Sequence, residues 1–170
     1  MSRRRVRVAA CLSLVALTLL AVPARAVAPV IADAGEFFSA EAVKKANEQI
    51  RELYRKYQRD LLIETFKGPP EADAEKIKAM SRGDREKYYE KWARQRGESV
   101  GVNGIYILAT KQPAFLQVEV SPSFGSVVDE TARRRLVDML LNDFRDKHFD
   151  AALDDAIKFL RVKLEDAGKK

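Results

Sequence analysis

The sequence predicts an α/β fold, a three-layer α/β/α sandwich around a small mixed sheet. Three observations carry this. Asn103-Gly104-Ile105-Tyr106-Ile107-Leu108-Ala109 sets five apolar residues in a row after a Gly, which fits a strand buried on both faces. A second run, Asp60-Leu61-Leu62-Ile63-Glu64-Thr65-Phe66, stops at Gly68-Pro69-Pro70, which can continue neither a helix nor a ladder. Around these runs, apolar residues recur at helical spacing. Strands alternating with helices imply a layered α/β domain.

The first 26 residues have a different character. Ser2-Arg3-Arg4-Arg5-Val6-Arg7 is a basic opening, Val8 to Val22 is rich in Leu and Ala, and Ala24-Arg25-Ala26 is a small-residue cleavage pattern. Residues 1–26 read as a secretory signal peptide cleaved after Ala26. Residues 27–170 read as one domain, periplasmic or secreted. The apolar run is too short for a membrane span, and no second one follows, so the exported protein is expected to be soluble. The Leu-rich core points to the general secretory route, although Ser2-Arg3-Arg4 has a twin-arginine look. Val8-Ala9-Ala10-Cys11 looks like a lipobox but no apolar region precedes it.

Removing the leader changes the electrostatics. The chain has 31 Lys and Arg against 25 acids, and residues 1–26 hold Arg3, Arg4, Arg5, Arg7 and Arg25 with no acid. The remainder therefore carries a formal charge near +1, and net charge gives no argument for a nucleic-acid partner. Cys11 is the only cysteine and leaves with the leader. A disulfide, a thiol nucleophile and a Cys metal site are all excluded. The domain must hold together by packing, and it is long enough for a real core.

Each element has its own signal. Val30-Ile31 suggests a short edge strand. Ser39 is a candidate N-cap, with Glu41 in the first turn. Val43, Ala46, Ile50, Leu53 and Tyr57 then follow at helical spacing, predicting a surface helix over 40–58. Residues 61–66 form the next strand. A charged helical region over 72–96 should break at Ser81-Arg82-Gly83, with Asp84 as cap and Tyr88 and Trp92 inward. The strand over 104–109 then meets the tight connection Thr110-Lys111-Gln112-Pro113. Residues 114–121 alternate, with Ala114, Leu116, Val118 and Val120 on one face. That short link makes an antiparallel hairpin. The long helical link from 61–66 to 104–109 implies a parallel pair. A loop over Ser121–Ser126 leads to a helix opening at or beside Asp129, with Ala132, Leu136, Met139, Leu140 and Phe144 inward. The last helix, Asp150 to about Asp166, has the cleanest apolar stripe.

The order of these motifs resembles the TPM domain, the family of the thylakoid lumen 18.3 kDa protein and many bacterial exported proteins. The resemblance rests on Val30-Ile31-Ala32-Asp33-Ala34-Gly35 before an amphipathic helix, Leu61–Phe66, and Trp92. It continues through Asn103-Gly104 before an apolar strand, Gln117–Ser121, Gly125, Asp129 and Phe149-Asp150-Ala151-Ala152-Leu153. It implies an α/β/α sandwich, export, and roles in acid phosphatase activity, divalent-cation binding or membrane-complex maintenance. The family's acidic positions map to Asp33 and Asp129, with Asn103 as a third oxygen ligand for Ca²⁺ or Mg²⁺. Two features depart from the pattern. Val102-Asn103 stands where many members have two adjacent Asp or Asn residues. Pro122-Ser123-Phe124-Gly125-Ser126 stands where many have a Gly-x-Gly-Leu-Glu-like loop.

The residues themselves point to no catalytic group. Asp33 and Asp129 sit at helix starts, where capping needs no metal. Asn103 before Gly104 suits a turn. His148, the only histidine, lies in a helix–helix turn without a partner motif and reads as structural or exposed. Arg133-Arg134-Arg135 and Asp154-Asp155 read as solvated helix faces. Three functions follow: an interaction or maintenance module with envelope or membrane protein partners, a divalent-metal-dependent acid phosphatase, or a Ca²⁺/Mg²⁺-binding module without catalysis. Convergence of the Asp33, Asn103 and Asp129 oxygens would favour the last two.

Overall fold

The computed structural model describes residues 31–169. The signal-peptide reading and Val30 lie outside them. Strand β1 (Ala32–Asp33) is followed by α1 (Ala40–Tyr57), β2 (Asp60–Phe66), a short α2 (Ala74–Lys78) and α3 (Arg82–Ser99). Then come β3 (Gly104–Lys111), β4 (Ala114–Val120), α4 (Glu130–Arg145) and α5 (Phe149–Ala167). The sheet order is β1-β2-β3-β4. β1 and β3 pair parallel to β2, and β4 pairs antiparallel to β3. The mixed sheet is therefore the expected one, with β3 at the switch between the two pairings.

The pleat of β3 feeds two cores. Ile105, Ile107 and Ala109 pack with residues of α1, α4 and α5, whereas Tyr106 and Leu108 pack with Ile77, Tyr89 and Ala93. All five are at most 2 % exposed. Burying the Ile and Leu side chains contributes roughly 1.5–3 kcal/mol each, so β3 is the element on which both layers rest. The α5 stripe Ala152, Leu153, Ala156, Ile157, Leu160 and Leu164 is buried throughout. Among the described residues no helix is long and apolar enough to cross a membrane.

Several boundaries differ from the expectations, each for a local reason. The described edge strand is Ala32–Asp33, with Ile31 just before it. Ile31 N donates to Asn47 Oδ1, while its side chain enters the core. The charged helical region divides into a 3₁₀ turn at Glu71–Asp73, α2 and α3. The cap of α3 is Ser81, not Asp84: Asp84 N donates to Ser81 Oγ at 3.2 Å, and Ser81 Oγ donates back to the Asp84 carboxylate. A reciprocal box of this kind satisfies an otherwise orphaned N–H. Tyr88 and Trp92 pack against the α3-side core as expected but stay half-buried, and the fully buried stripe is Tyr89, Ala93 and Gly97. Tyr89 stacks on Phe115 with ring centroids 4.3 Å apart, which covers the second face of β4. Ala114, on the same face as the buried Leu116 and Val118, is exposed at the end of that strand.

Candidate functional site

The structure does not bring Asp33, Asn103 and Asp129 together. Asp33 is opposite Thr65, and Thr65 is opposite Ala109, at the C-terminal ends of the parallel strands. Asn103 precedes Gly104, which is opposite Asp60 at their N-terminal ends. Thr65 is five residue steps along the strand from Asp60, about 16 Å. Asp129 follows a loop whose Val127 and Val128 N–H groups bond to Phe124 O, on the Asn103 side. Each side chain is also occupied. Asp33 accepts from Phe37 N and Phe38 N, both at 2.9 Å, and from the Thr65 hydroxyl. Asp129 Oδ1 accepts from Ala132 N at 2.8 Å as the N-cap of α4. Asn103 Oδ1 accepts from Arg59 Nη1 at 2.8 Å and Ser123 Oγ at 2.6 Å. Among the described residues, no three His, Cys, Asp or Glu side chains are grouped to hold a metal ion. The three residues do not fit a shared cation, which needs several oxygens converging. His148 is exposed at the turn before α5.

Around Asn103 lies a carboxylate that sequence reasoning passed over. Asp60 is 8 % exposed. Its Oδ2 accepts from Asn103 N at 2.7 Å, while its Oδ1 is buried without a partner. Burial pushes the Asp60 carboxyl above its ordinary range, opposed by the Asn103 N–H and the Arg59 charge. A raised folded pKa stabilises fully below the unfolded pKa and is lost as pH rises through the folded one. Asp60→Asn should therefore match wild type near pH 4 and exceed it by about 1 kcal/mol at pH 8. Urea unfolding at both values checks this. A pH-independent difference between the two proteins would rule out the desolvated carboxylate as its source.

On the α3 side, Glu64 forms a second polar centre. It is 7 % exposed, in the middle of β2. Arg96 of α3 forks onto it, with Nε 2.9 Å from Oε2 and Nη2 on Oε1. The Tyr106 hydroxyl donates to Oε2 at 2.6 Å. A carboxylate in the interior of a strand, between Ile63 and Thr65, was the one available signal. Both carboxylate oxygens are engaged, Oε2 by two donors and Oε1 by one, so the group reads as a tie between sheet and α3.

The open edge of the sheet is the most distinctive surface. Asp60 N donates to Asn103 O, and Ser121 N to Gly104 O. Backbone alternation then turns the odd residues of β3 toward β2 and the even ones toward β4. Across the hairpin, Phe115, Gln117 and Glu119 bond to β3. Ala114, Leu116, Val118 and Val120 turn their N–H and C=O groups away from the sheet. Arg133, read from sequence as solvated, instead reaches back, and its Nη1 lies 3.4 Å from Val118 O. Beside the Ala114–Leu116 half lies a cleft of about 350 Å³ lined by Phe37, Leu116, Leu141, Phe144 and Phe149, with Lys111 and Arg145 at its rim. The three phenyl rings form one cluster with centroids 5.2–5.4 Å apart.

Comparison with known proteins agrees with this architecture. A family model described as the TPM domain matches residues 31–162. No curated protein matches the chain. Among solved structures, the chain is similar to the solution NMR structure of the N-terminal domain of a protein from P. gingivalis. The TM-score is 0.63 at 12 % identity, over 81 % of this chain and 82 % of that one. At that identity the likeness concerns the fold.

Proposed function

Because the chain belongs to the TPM domain family, we propose that it works as an exported interaction module at the cell envelope, engaging envelope or membrane proteins through its β4 edge. The observation that carries this reading is the edge. Sheets of native proteins normally cover or blunt their edges, and an edge that stays open is a template for adding a strand from a partner. Here, among the described residues, Arg133 reaches Val118 O, and an aromatic cleft adjoins the Ala114–Leu116 half. Export is supported by the basic opening, apolar core and Ala24-Arg25-Ala26 pattern of residues 1–26. The acid-phosphatase and bare Ca²⁺ or Mg²⁺ alternatives need converging oxygens. With Asp33 and Asn103 at opposite ends of the sheet, no observation favours them over the edge.

A photo-cross-linking amino acid tests this in living cells, placed either at Ala114 on the edge or at Glu48 on the exposed face of α1. The expected outcome is a processed, exported protein that yields a discrete cross-linked product from position 114 and none from 48. Equal products from both positions, no product from 114, or retention in the cytoplasm would sink the reading.

A further inference from the structure

The β4 edge has a polarity that narrows what it can take. Going along the strand from the hairpin, Ala114 and Leu116 offer outward N–H and C=O groups, and Arg133 then closes on Val118 O. An added strand has about three residues of free edge before it meets that guanidinium. Such a length suits a chain end better than a segment passing through. The cleft that receives its side chain is apolar and aromatic, and its volume lies in the range of small-ligand pockets, about 300–1,000 Å³.

The charge at the hairpin end is cationic, and its two cations are bonded to neutral acceptors. Lys111, opposite Ala114 in register, is exposed. Its Nζ donates to Glu36 O and sits 5.1 Å from the Phe37 ring centroid. Arg145 is exposed at the end of α4, and among the described residues its guanidinium bonds to the neutral Asn142 side chain. Neither cation is within ion-pair distance of a carboxylate among the described residues. The Glu36 carboxylate, which feels the Lys111 charge, is held by Lys67 at 2.9 Å. An apolar cleft with two unpaired cations at one end of an open strand is complementary to an apolar side chain followed at once by a carboxylate. That is the chemistry of a peptide C-terminus.

Resting on the interaction-module reading, we infer that the cleft between β4 and α4 binds the free C-terminus of a partner protein. The bound segment pairs antiparallel with Ala114–Leu116. Its last side chain, apolar, enters the cleft over Phe37, Phe144 and Phe149. Its terminal carboxylate faces Lys111 and Arg145. The direction follows from the geometry: β4 runs away from the cations, so a chain ending at them runs against it.

The test titrates the purified protein with an acetylated tetrapeptide of alternating threonine and valine ending in leucine, followed by amide chemical shifts. The expected result is perturbation centred on residues 111–117 and 141–149. Amidating the peptide's C-terminus should weaken binding about tenfold or more, as should the double substitution Lys111→Gln/Arg145→Gln; tenfold corresponds to 1.4 kcal/mol. Both positions are exposed, and the amidated peptide requires no change in the protein at all. Equal affinity of acid and amide overturns the proposal, as does perturbation centred away from β4 and α4. Octanoate binding as tightly as the peptide also overturns it, because strand pairing would then contribute nothing. If cross-links form at Ala114 in cells while the acid and amide peptides do not differ, the C-terminus proposal fails and the interaction reading stands. If no cross-links form there, the interaction reading itself fails.

Discussion

Gly104→Ala is expected to lower the thermal midpoint by roughly 10 °C, reflecting a loss of about 3 kcal/mol or more. A Cβ at this position would lie 2.1 Å from Asp60 O, 2.8 Å from Asp60 N and 3.0 Å from Asp60 C. All three are backbone atoms of the neighbouring strand, so no rotamer change relieves the contact. β2 and β3 must move apart at their first rung. That displaces the Asp60 N–H from Asn103 O and the Asn103 N–H from Asp60 Oδ2. It also disturbs the bond from Ser121 N to Gly104 O that sets the phase of the hairpin. Gly83→Ala supplies the control. Nothing lies within 4 Å of a Cβ there, in the first turn of α3, so that substitution should be neutral or stabilise by about 0.5–1 kcal/mol. Thermal denaturation of both variants decides the matter. Similar midpoints for the two would mean that β2 and β3 separate without cost, and the close approach would then not be what requires glycine.

This tight rung marks the limit of what the sequence made legible. The Asn103-Gly104 dipeptide before an apolar run announced the start of β3, and the run itself announced burial on both faces. Helical spacing gave α1, α4 and α5, with Ser39 and Asp129 found as caps where expected. Local patterns of this kind depend on neighbours a few residues apart. The candidate site depended on residues far apart, and there local reading ran out. Asp33 and Asn103 both looked like loop ligands, yet parallel pairing places the end of one strand and the start of another at opposite ends of the sheet. Nothing in either loop states which end it occupies. The edge was hidden for the same reason. Its outward groups follow from the phase of pairing, and its cleft joins residues from the Asp33 loop, the hairpin, α4 and α5.

Glu64→Ala should cost about 3 kcal/mol, at the lower end of the range for removing one member of a buried pair. The Glu64 side chain is 10 % exposed whereas the Arg96 side chain is 40 % exposed. Arg96 can therefore regain water when its partner is removed. The Tyr106 hydroxyl has no such recourse, because Tyr106 is 1 % exposed and its bond to Glu64 is lost. An unsatisfied buried hydroxyl costs roughly 1–3 kcal/mol, and the space left beneath α3 adds to it. Glu64→Gln keeps an acceptor for Tyr106 and should fall between Glu64→Ala and wild type. Tyr106→Phe in the Glu64→Ala background should recover part of the loss, since the orphan is then absent. The pH dependence gives an independent sign. Burial pushes the Glu64 carboxyl up, but the Arg96 guanidinium and the Tyr106 hydroxyl together hold it below its ordinary value. Such a group stabilises above its unfolded pKa, about 4.3, and the contribution is lost as pH falls through the lower folded value. Glu64→Gln should thus differ most from wild type at neutral pH and approach it in acid. The opposite trend in urea unfolding would mean that desolvation of Glu64 outweighs its pairing, and that α3 is held to the sheet by the packing of Tyr89, Ala93 and Gly97 on β3 and β4 instead.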